Sequence, residues 1–204
     1  MKLLPCSLLF LALLFLICFL PQVVWSTDDD AYLGLFSVLP DAAVSASNPI
    51  TEEKTSLGKK LFLDPMLSKS GDISCNSCHD LKTFGVDNKP TSPGHEGQLG
   101  TRNSPTVYNA ALHTPQFWDG RAKDVEEQAL GPILNPVEMA MPSGEEVIAK
   151  LKAHKDYVAD FIRAFPGEAD PINYDNVGKA IGSFERTLMT PGRFDTYIKG
   201  DKKA

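Results

Sequence analysis

Apolar residues recur at helical spacing in several stretches of this chain. Two glutamates follow Thr51 and favour the positive end of a helix dipole, and Leu57 and Leu61 then share one helical face. The pair Asp64-Pro65 predicts the end of this helix. The first well-defined element is therefore an amphipathic helix that begins near Thr51.

The same spacing predicts four more helices further along the chain. One covers Ala122–Leu130 and ends before Gly131-Pro132, and the next opens at Ser143, three residues before Glu146, as in a capping box. The other two carry apolar faces made of Tyr157, Val158, Phe161, Ile162 and Phe165, and of Val177, Ile181, Phe184 and Leu188. No alternation typical of strands is present, so we expect an all-α fold of short helices and long ordered loops.

One long segment lacks apolar periodicity altogether. Residues 89–103 carry two prolines and three glycines over a length at which loops are usually functional or disordered. His95 lies in the middle of this segment. A mobile support of this kind suits a ligand that must sometimes leave a metal.

The first residues follow the pattern of a secretory signal peptide. Lys2 precedes an apolar run from Leu3 to Leu20, and a small residue, Ser26, closes the segment. The run is also long enough for an uncleaved membrane anchor, which the sequence leaves open. We expect residues 1–26 to be a signal peptide and residues 27–50 to be a loosely packed lead-in.

The charge balance narrows the class of partner. The chain has a net charge of −6, and Lys2 is the only charged side chain in the signal, so the exported protein is one unit more negative. No basic run compensates for this charge, which excludes a general attraction to nucleic acid or anionic lipid. We expect a soluble acidic protein in the periplasm.

Cysteine usage supplies the most specific motif. Cys6 and Cys18 lie within the signal, which leaves Cys75 and Cys78, with His79 directly after them. This five-residue spacing is that of covalent haem c attachment, in which the histidine is the proximal iron ligand. The alternatives are a zinc site completed by a distant histidine and a redox disulfide. A thioredoxin-like disulfide would need βαβ surroundings, which the pattern does not predict.

Two residues are candidates for chemistry beside such a haem. His95 is one of several side chains that could fill the sixth iron position, together with His113, His154 and the methionines. Glu138 lies in a largely apolar stretch, and a carboxylate there could move a proton between the two oxygens of peroxide. On the residues alone, a surface or core histidine and a solvated or helix-capping glutamate are the more common interpretations.

Eight motifs between Leu57 and Asp201 form a highly specific set. They are Leu57–Pro65, Ile73–His79, Gly85–Asp87, Thr91–His95, Arg102–Val107, Gln116–Arg121, Gly131–Pro132 and Val137–Met139. The set resembles the bacterial di-haem cytochrome c peroxidases and the related di-haem methylamine-utilisation enzymes. The resemblance implies a cytochrome c-like domain in which His79 is the proximal ligand of the N-terminal, peroxidatic haem. It also implies that His95 is the distal ligand in the resting oxidised form and departs on activation.

The resemblance implies further roles by position. Glu138 corresponds to the acid–base residue, and Gln128 to its neighbour near bound peroxide. Trp118 corresponds to the aromatic residue between two haems, and Asn103 to a ligand of a calcium ion at the domain interface. The expected partners are hydrogen peroxide and a small cytochrome c or blue-copper donor, and a homodimer is expected by analogy.

Members of this family carry a second domain with another Cys-x-x-Cys-His motif and a His/Met-ligated haem. We therefore expect residues 51–190 to form the N-terminal haem domain, and residues 191–204 to begin the linker to a second domain that is missing here. The chain alone would then hold one haem, and its calcium site would lack the ligands of the other domain.

Three functions follow from these observations. The first is cytochrome c peroxidase activity, and the second is a mono-haem electron carrier in which His95 stays bound. The third is a methylamine-utilisation type of enzyme, for which no histidine is expected at position 95. The presence of His95 favours the peroxidase.

Overall fold

The computed structural model describes residues 32–204, so the expected signal peptide and residues 27–31 of the lead-in lie outside the described part. The chain divides into two units, Met1–Ser37 and Val38–Ala204. In the first unit, Leu35 N–H donates to the carbonyl of Tyr32 at 3.0 Å, which forms a turn.

The second unit is built from helices and loops. Its α-helices are α1 (Glu52–Leu63), α2 (Cys75–Cys78), α3 (Val125–Leu134), α4 (Gly144–Lys152), α5 (Lys155–Ala164), α6 (Tyr174–Glu185) and α7 (Arg193–Ile198). Three short 3-10 turns lie at Pro65–Leu67, His95–Gly97 and Ala110–Leu112. Residues 32–204 contain no strand, only the isolated bridges Pro93–Leu99 and Gln116–Ala122, which confirms the all-α class. In the same residues no helix has the length and apolar character needed to cross a membrane.

Helix starts follow the sequence closely, because capping is local. The Thr51 side chain accepts a hydrogen bond from the Lys54 N–H, and Ser143 accepts one from the Glu146 N–H. The predicted end of α3 is wrong. The helix continues through Gly131-Pro132 to Leu134, because Ile133 is fully buried and the Asn135 N–H bonds to the Gly131 carbonyl, which outweighs the donor that Pro132 lacks.

Helix α6 lies at the centre of the packing, with α1 and α3 against it. A Cβ atom on Gly58 of α1 would lie 1.8 Å from the Ala180 carbonyl oxygen, and one on Gly178 of α6 would lie 2.6 Å from the Glu126 carbonyl oxygen. Phe62 and Phe184 pack edge to face across the α1–α6 contact, with ring centroids 5.4 Å apart. These glycines allow the backbones to touch, which fixes the scaffold.

The second half of the lead-in is better packed than expected. Ala43 and Asn48 are buried, and the Asn48 amide donates to the Lys179 carbonyl at 2.9 Å and to Glu126 at 2.8 Å. Asn48 thus anchors this part of the lead-in, because it joins a polar network between α3 and α6. Glu126 also receives both Nε and Nη2 of Arg186, at 2.7 and 2.8 Å.

Candidate functional site

The two cysteines lie at the ends of the four-residue helix α2. They share one face at i, i+3 spacing, and the His79 N–H caps the helix by donating to the Cys75 carbonyl at 2.9 Å. Ser77 accepts the Ser74 N–H at the other end, at 3.0 Å. Local hydrogen bonds thus hold the three residues of the motif in one turn.

His79 is oriented for metal ligation. Its Nδ1 lies 2.9 Å from the Pro105 carbonyl oxygen, and because a carbonyl only accepts, Nδ1–H is the donor. The lone pair is then on Nε2, as in the arrangement that orients metal-bound histidines. Burial lowers the pKa of His79, which favours the neutral imidazole that a metal requires. The residues present fit a haem iron.

The cysteines fit thioether attachment better than the alternatives. Burial raises the pKa of Cys75 to about 12 and also raises that of Cys78, so both thiols are protonated in the free chain and neither is a reactive thiolate. Within residues 32–204 no group of three or more His, Cys, Asp or Glu side chains could hold a metal ion. The zinc alternative therefore finds no support in the described part of the chain.

The loop that carries His95 is docked on the segment that carries Glu138. The His95 N–H lies 2.8 Å from the Glu138 carbonyl oxygen and 3.1 Å from that of Val137. A Cβ atom on Gly94 would lie 2.0 Å from the Val137 oxygen, so only glycine permits this contact. Glu96 has a φ of 56° in the same turn. The structure thus brings together two residues that the sequence placed far apart.

Glu138 is half-buried and is held by two neighbours. Asn135 Nδ2 donates to Glu138 Oε1 at 2.9 Å. Burial is the larger influence and raises the pKa of Glu138, while the positive charge of Arg121 and the Asn135 bond lower it. The carboxylate also raises the pKa of Cys78, so it acts within electrostatic range of α2. A carboxyl group in these surroundings suits proton transfer.

Gln128 is placed differently. It lies half-buried on α3, and within the part of the chain that the structure describes its side chain makes no hydrogen bond to Glu138 or to any other residue. The structure therefore does not bring it together with Glu138 by direct contact, and its role near peroxide stays a prediction.

Trp118 and Asn103 lie side by side. Trp118 Nε1–H donates to the Asn103 carbonyl at 2.8 Å, and the Asn103 amide donates to the Lys89 carbonyl at 2.7 Å. The Trp118 side chain is exposed. Arg102 and Arg121 both bind Asp119, which lowers the pKa of that carboxyl to about 2. This ion cluster fixes the turn after Trp118.

Comparison with known proteins agrees with this geometry. Residues 52–203 match the family model described as di-haem cytochrome c peroxidase. This chain belongs to the di-haem cytochrome c peroxidase family. It is 49% identical over 177 residues to the cytochrome c551 peroxidase of Pseudomonas aeruginosa, an alignment that covers 86% of this chain and 51% of that protein. It is 41% identical over 159 residues to the methylamine utilization protein MauG of Methylorubrum extorquens, covering 78% and 44%.

A solved structure is also similar. A MauG-like protein associated with microbial copper homeostasis matches with a TM-score of 0.73 at 32% identity, over 87% of this chain and 51% of that one. The chain spans about half the length of the curated relatives it matches. Membership of a di-haem cytochrome c peroxidase family implies haem c as the cofactor.

Sequence reasoning missed three residues of this di-haem peroxidase site. Pro105 orients His79, Asn135 holds Glu138, and Arg121 stacks at 3.4 Å over the Phe117 ring while its charge acts on Glu138. Only Asn135 carried a local signal, because an Asn before a proline at a helix end is typical of a side-chain-capped turn. Pro105 and Arg121 act on residues far away in sequence, His79 and Glu138.

Proposed function

We propose that this chain is the half of a periplasmic cytochrome c peroxidase in which hydrogen peroxide is reduced to water. One haem c is joined to Cys75 and Cys78, and small cytochromes or copper proteins supply the electrons. The observation that carries the proposal is the docking of the His95 loop on the Glu138 segment, beside the haem-attachment motif. This arrangement joins a removable ligand to a proton carrier.

When bound, the haem iron supplies the redox chemistry and accepts electrons one at a time. His79 would hold it through Nε2, and the hydrogen bond to Pro105 keeps the ring in place. His95 would be the second ligand while its loop is docked, and its release would open the iron to peroxide. Glu138 then takes a proton from one peroxide oxygen and returns it to the other, so that two electrons and two protons convert each peroxide into two waters.

The remaining assignments rest on position and on contacts. We place Trp118 on the path of electrons from a second haem domain, because it is 66% exposed and anchored to Asn103. Asn103 contributes an oxygen to a calcium ion at the same interface, since hard cations prefer amide, carbonyl and carboxylate oxygens. Gln128 assists Glu138 near peroxide. Export by residues 1–26 and a homodimer complete the proposal.

Optical spectra of the haem-loaded protein test this function. We expect a six-coordinate low-spin ferric spectrum that turns high-spin in His95→Gly, which should also react with hydrogen peroxide. Adding Glu138→Gln to that variant should slow the reaction by about 10²-fold or more, which is the usual contribution of a general acid–base group. His113→Gly, at an exposed position, is the matched control.

Two outcomes would contradict the proposal. An unchanged six-coordinate spectrum in His95→Gly would remove His95 from the ligands. A high-spin His95→Gly protein that does not react with peroxide would show that release of His95 is not enough for peroxidase chemistry in this chain.

A further inference from the structure

Asn135 controls the turn that presents Glu138. Its side chain acts in two directions: Nδ2 donates to Glu138 Oε1 at 2.9 Å, and Oδ1 accepts the Val137 N–H at 3.0 Å. Its backbone carbonyl accepts the N–H groups of Glu138 and Ala140, at 3.0 and 2.9 Å. One residue therefore fixes both the main chain and the carboxylate of this turn.

The turn is anchored to the protein core. Asn135 caps α3, and its N–H donates to the Gly131 carbonyl at 3.1 Å. The Met141 N–H then bonds at 2.9 Å to the carbonyl of Ile133, which is fully buried. Motion of Asn135 thus requires disruption of the scaffold, so its amide is a rigid reference point for Glu138.

The other neighbour of Glu138 is less specific. Arg121 acts on it through charge, but its guanidinium is bonded to Asp119 and stacked on Phe117. Among the residues that the structure describes, Asn135 makes the only side-chain hydrogen bond to the Glu138 carboxylate. The Asn135 donor binds Oε1 and stabilises negative charge there, which favours Oε2 as the oxygen that carries a proton.

We propose that Asn135 is a positioning residue for proton transfer. It holds Oε1 of Glu138 so that the proton resides on Oε2 and is delivered from one fixed direction. This inference rests on the proposed function, because it specifies which oxygen of Glu138 carries the proton. Correct placement of such a group matters, since small errors in its position slow proton transfer strongly.

The test uses Asn135→Asp, Glu138→Gln and the double variant, each in the haem-loaded His95→Gly chain. An aspartate at position 135 still accepts the Val137 N–H, so it keeps the turn but loses the donor to Glu138. In the double variant the hydrogen bond is reversed, because the introduced glutamine amide donates to the introduced aspartate carboxylate. Asn135→Ser, which also accepts the Val137 N–H without adding charge, is the second variant if Asn135→Asp does not fold.

We expect Asn135→Asp to react with hydrogen peroxide at least about tenfold more slowly than its parent, with an unchanged ferric spectrum. Its urea unfolding midpoint should fall, and the double variant should recover that midpoint while reacting only as fast as Glu138→Gln. Full reactivity in Asn135→Asp beside a slow Glu138→Gln would overturn the positioning role and leave the proposed function intact.

Two further results would be decisive. Asn135→Asp can be added either to the parent or to the Glu138→Gln chain. If it slows the reaction by the same factor in both, Asn135 acts independently of Glu138 and the inference is wrong. If Glu138→Gln reacts as fast as the parent, the acid–base function itself fails.

Discussion

The helical scaffold and the loop region of this protein are held together by different forces. The scaffold, made of α1 and α3 to α6, contains most of the largest fully buried side chains, among them Phe62, Phe161 and Ile181. In the loop region, residues 79–121, only Gly85, Val107 and Gln116 are buried. Within residues 32–204, five of the six non-glycine residues with positive φ are there: Phe84, Asn88, Glu96, Asn109 and Phe117.

This difference separates stability from chemistry. Apolar burial contributes about 1.5 to 3 kcal/mol for each large side chain, so the scaffold determines whether the chain folds. In the loop region, individual hydrogen bonds contribute about 1 kcal/mol each, and left-handed residues cost about 1 to 3 kcal/mol each. These small contributions determine where the ligands point. Substitutions in the scaffold should change the free energy of unfolding, and substitutions in the loop region should change the iron's coordination.

The largest effect is expected at the buried ion pair of the scaffold. Arg186→Ala leaves the Glu126 carboxylate without its bidentate partner, in a site where both side chains are nearly inaccessible. The free energy of unfolding should fall by about 3 to 5 kcal/mol in urea titrations. Arg163→Ala, at an exposed pair with Asp160, should cost less than about 1 kcal/mol. Equal losses of unfolding free energy in the two variants would show that burial does not strengthen the Arg186–Glu126 pair.

The second effect is steric. Alanine normally stabilises a helix relative to glycine by about 1 kcal/mol. Gly58→Ala should instead destabilise the protein by about 2 to 3 kcal/mol, because the added Cβ would meet the Ala180 carbonyl at 1.8 Å and separate α1 from α6. Thermal unfolding measures this difference. Gly100→Ala, where nothing lies within 4 Å, should leave the transition unchanged.

A third, pH-dependent effect comes from Glu185, a buried residue of α6. Burial raises its pKa to about 8, with a smaller contribution from Glu126, so the folded state binds this proton more tightly than the unfolded state. Stability should therefore fall as pH rises from about 4.5 to about 8. Glu185→Gln should be more stable than wild type at about pH 8 and equally stable near about pH 4.

Urea titrations at several pH values measure the Glu185 effect. Glu53→Gln, on the exposed side of α1, is the control and should follow wild type at every pH. A Glu185→Gln chain with the wild-type pH profile would show that the carboxyl group is solvated in the folded protein.

The smallest effect on stability is expected in the loop region, with the largest change in coordination. Gly94→Ala should push the loop away from Val137 and release His95, so the ferric spectrum should become high-spin. The free energy of unfolding should change by less than about 1 kcal/mol, because the loop buries little apolar surface. Gly100→Ala in the same loop should stay low-spin. A low-spin Gly94→Ala protein would contradict the docking contact.

The sequence predicted what local physics decides. Thr51 and Ser143 start helices because each cap needs only its own side chain and an N–H three residues later. The haem motif was equally readable, since Cys75, Cys78 and His79 lie in one helical turn. The predicted end of α3 before Gly131-Pro132 was wrong. The lost hydrogen bond of Pro132 is offset by the burial of the next residue, Ile133, which the sequence does not reveal.

The rest of the site depends on contacts between distant segments. No periodicity connects His79 with Pro105, or the His95 loop with the Val137 carbonyl. Glu138 and Trp118 were assigned from the family resemblance, and the residues that hold Glu138 emerged only from the structure. The chemistry of the side chains identifies the candidate reactive groups in the sequence. Their orientation is visible only in the folded structure.

The contact between α1 and α6 also sets an order of assembly. Helix α1 lies near the beginning of the described chain and α6 near its end, so α1 cannot bury its apolar face until almost the whole domain has been synthesised. The cysteines of α2 emerge between these two helices. Closure of the domain therefore has to wait for α6, and until α6 has docked, Cys75 and Cys78 are less enclosed than in the folded protein.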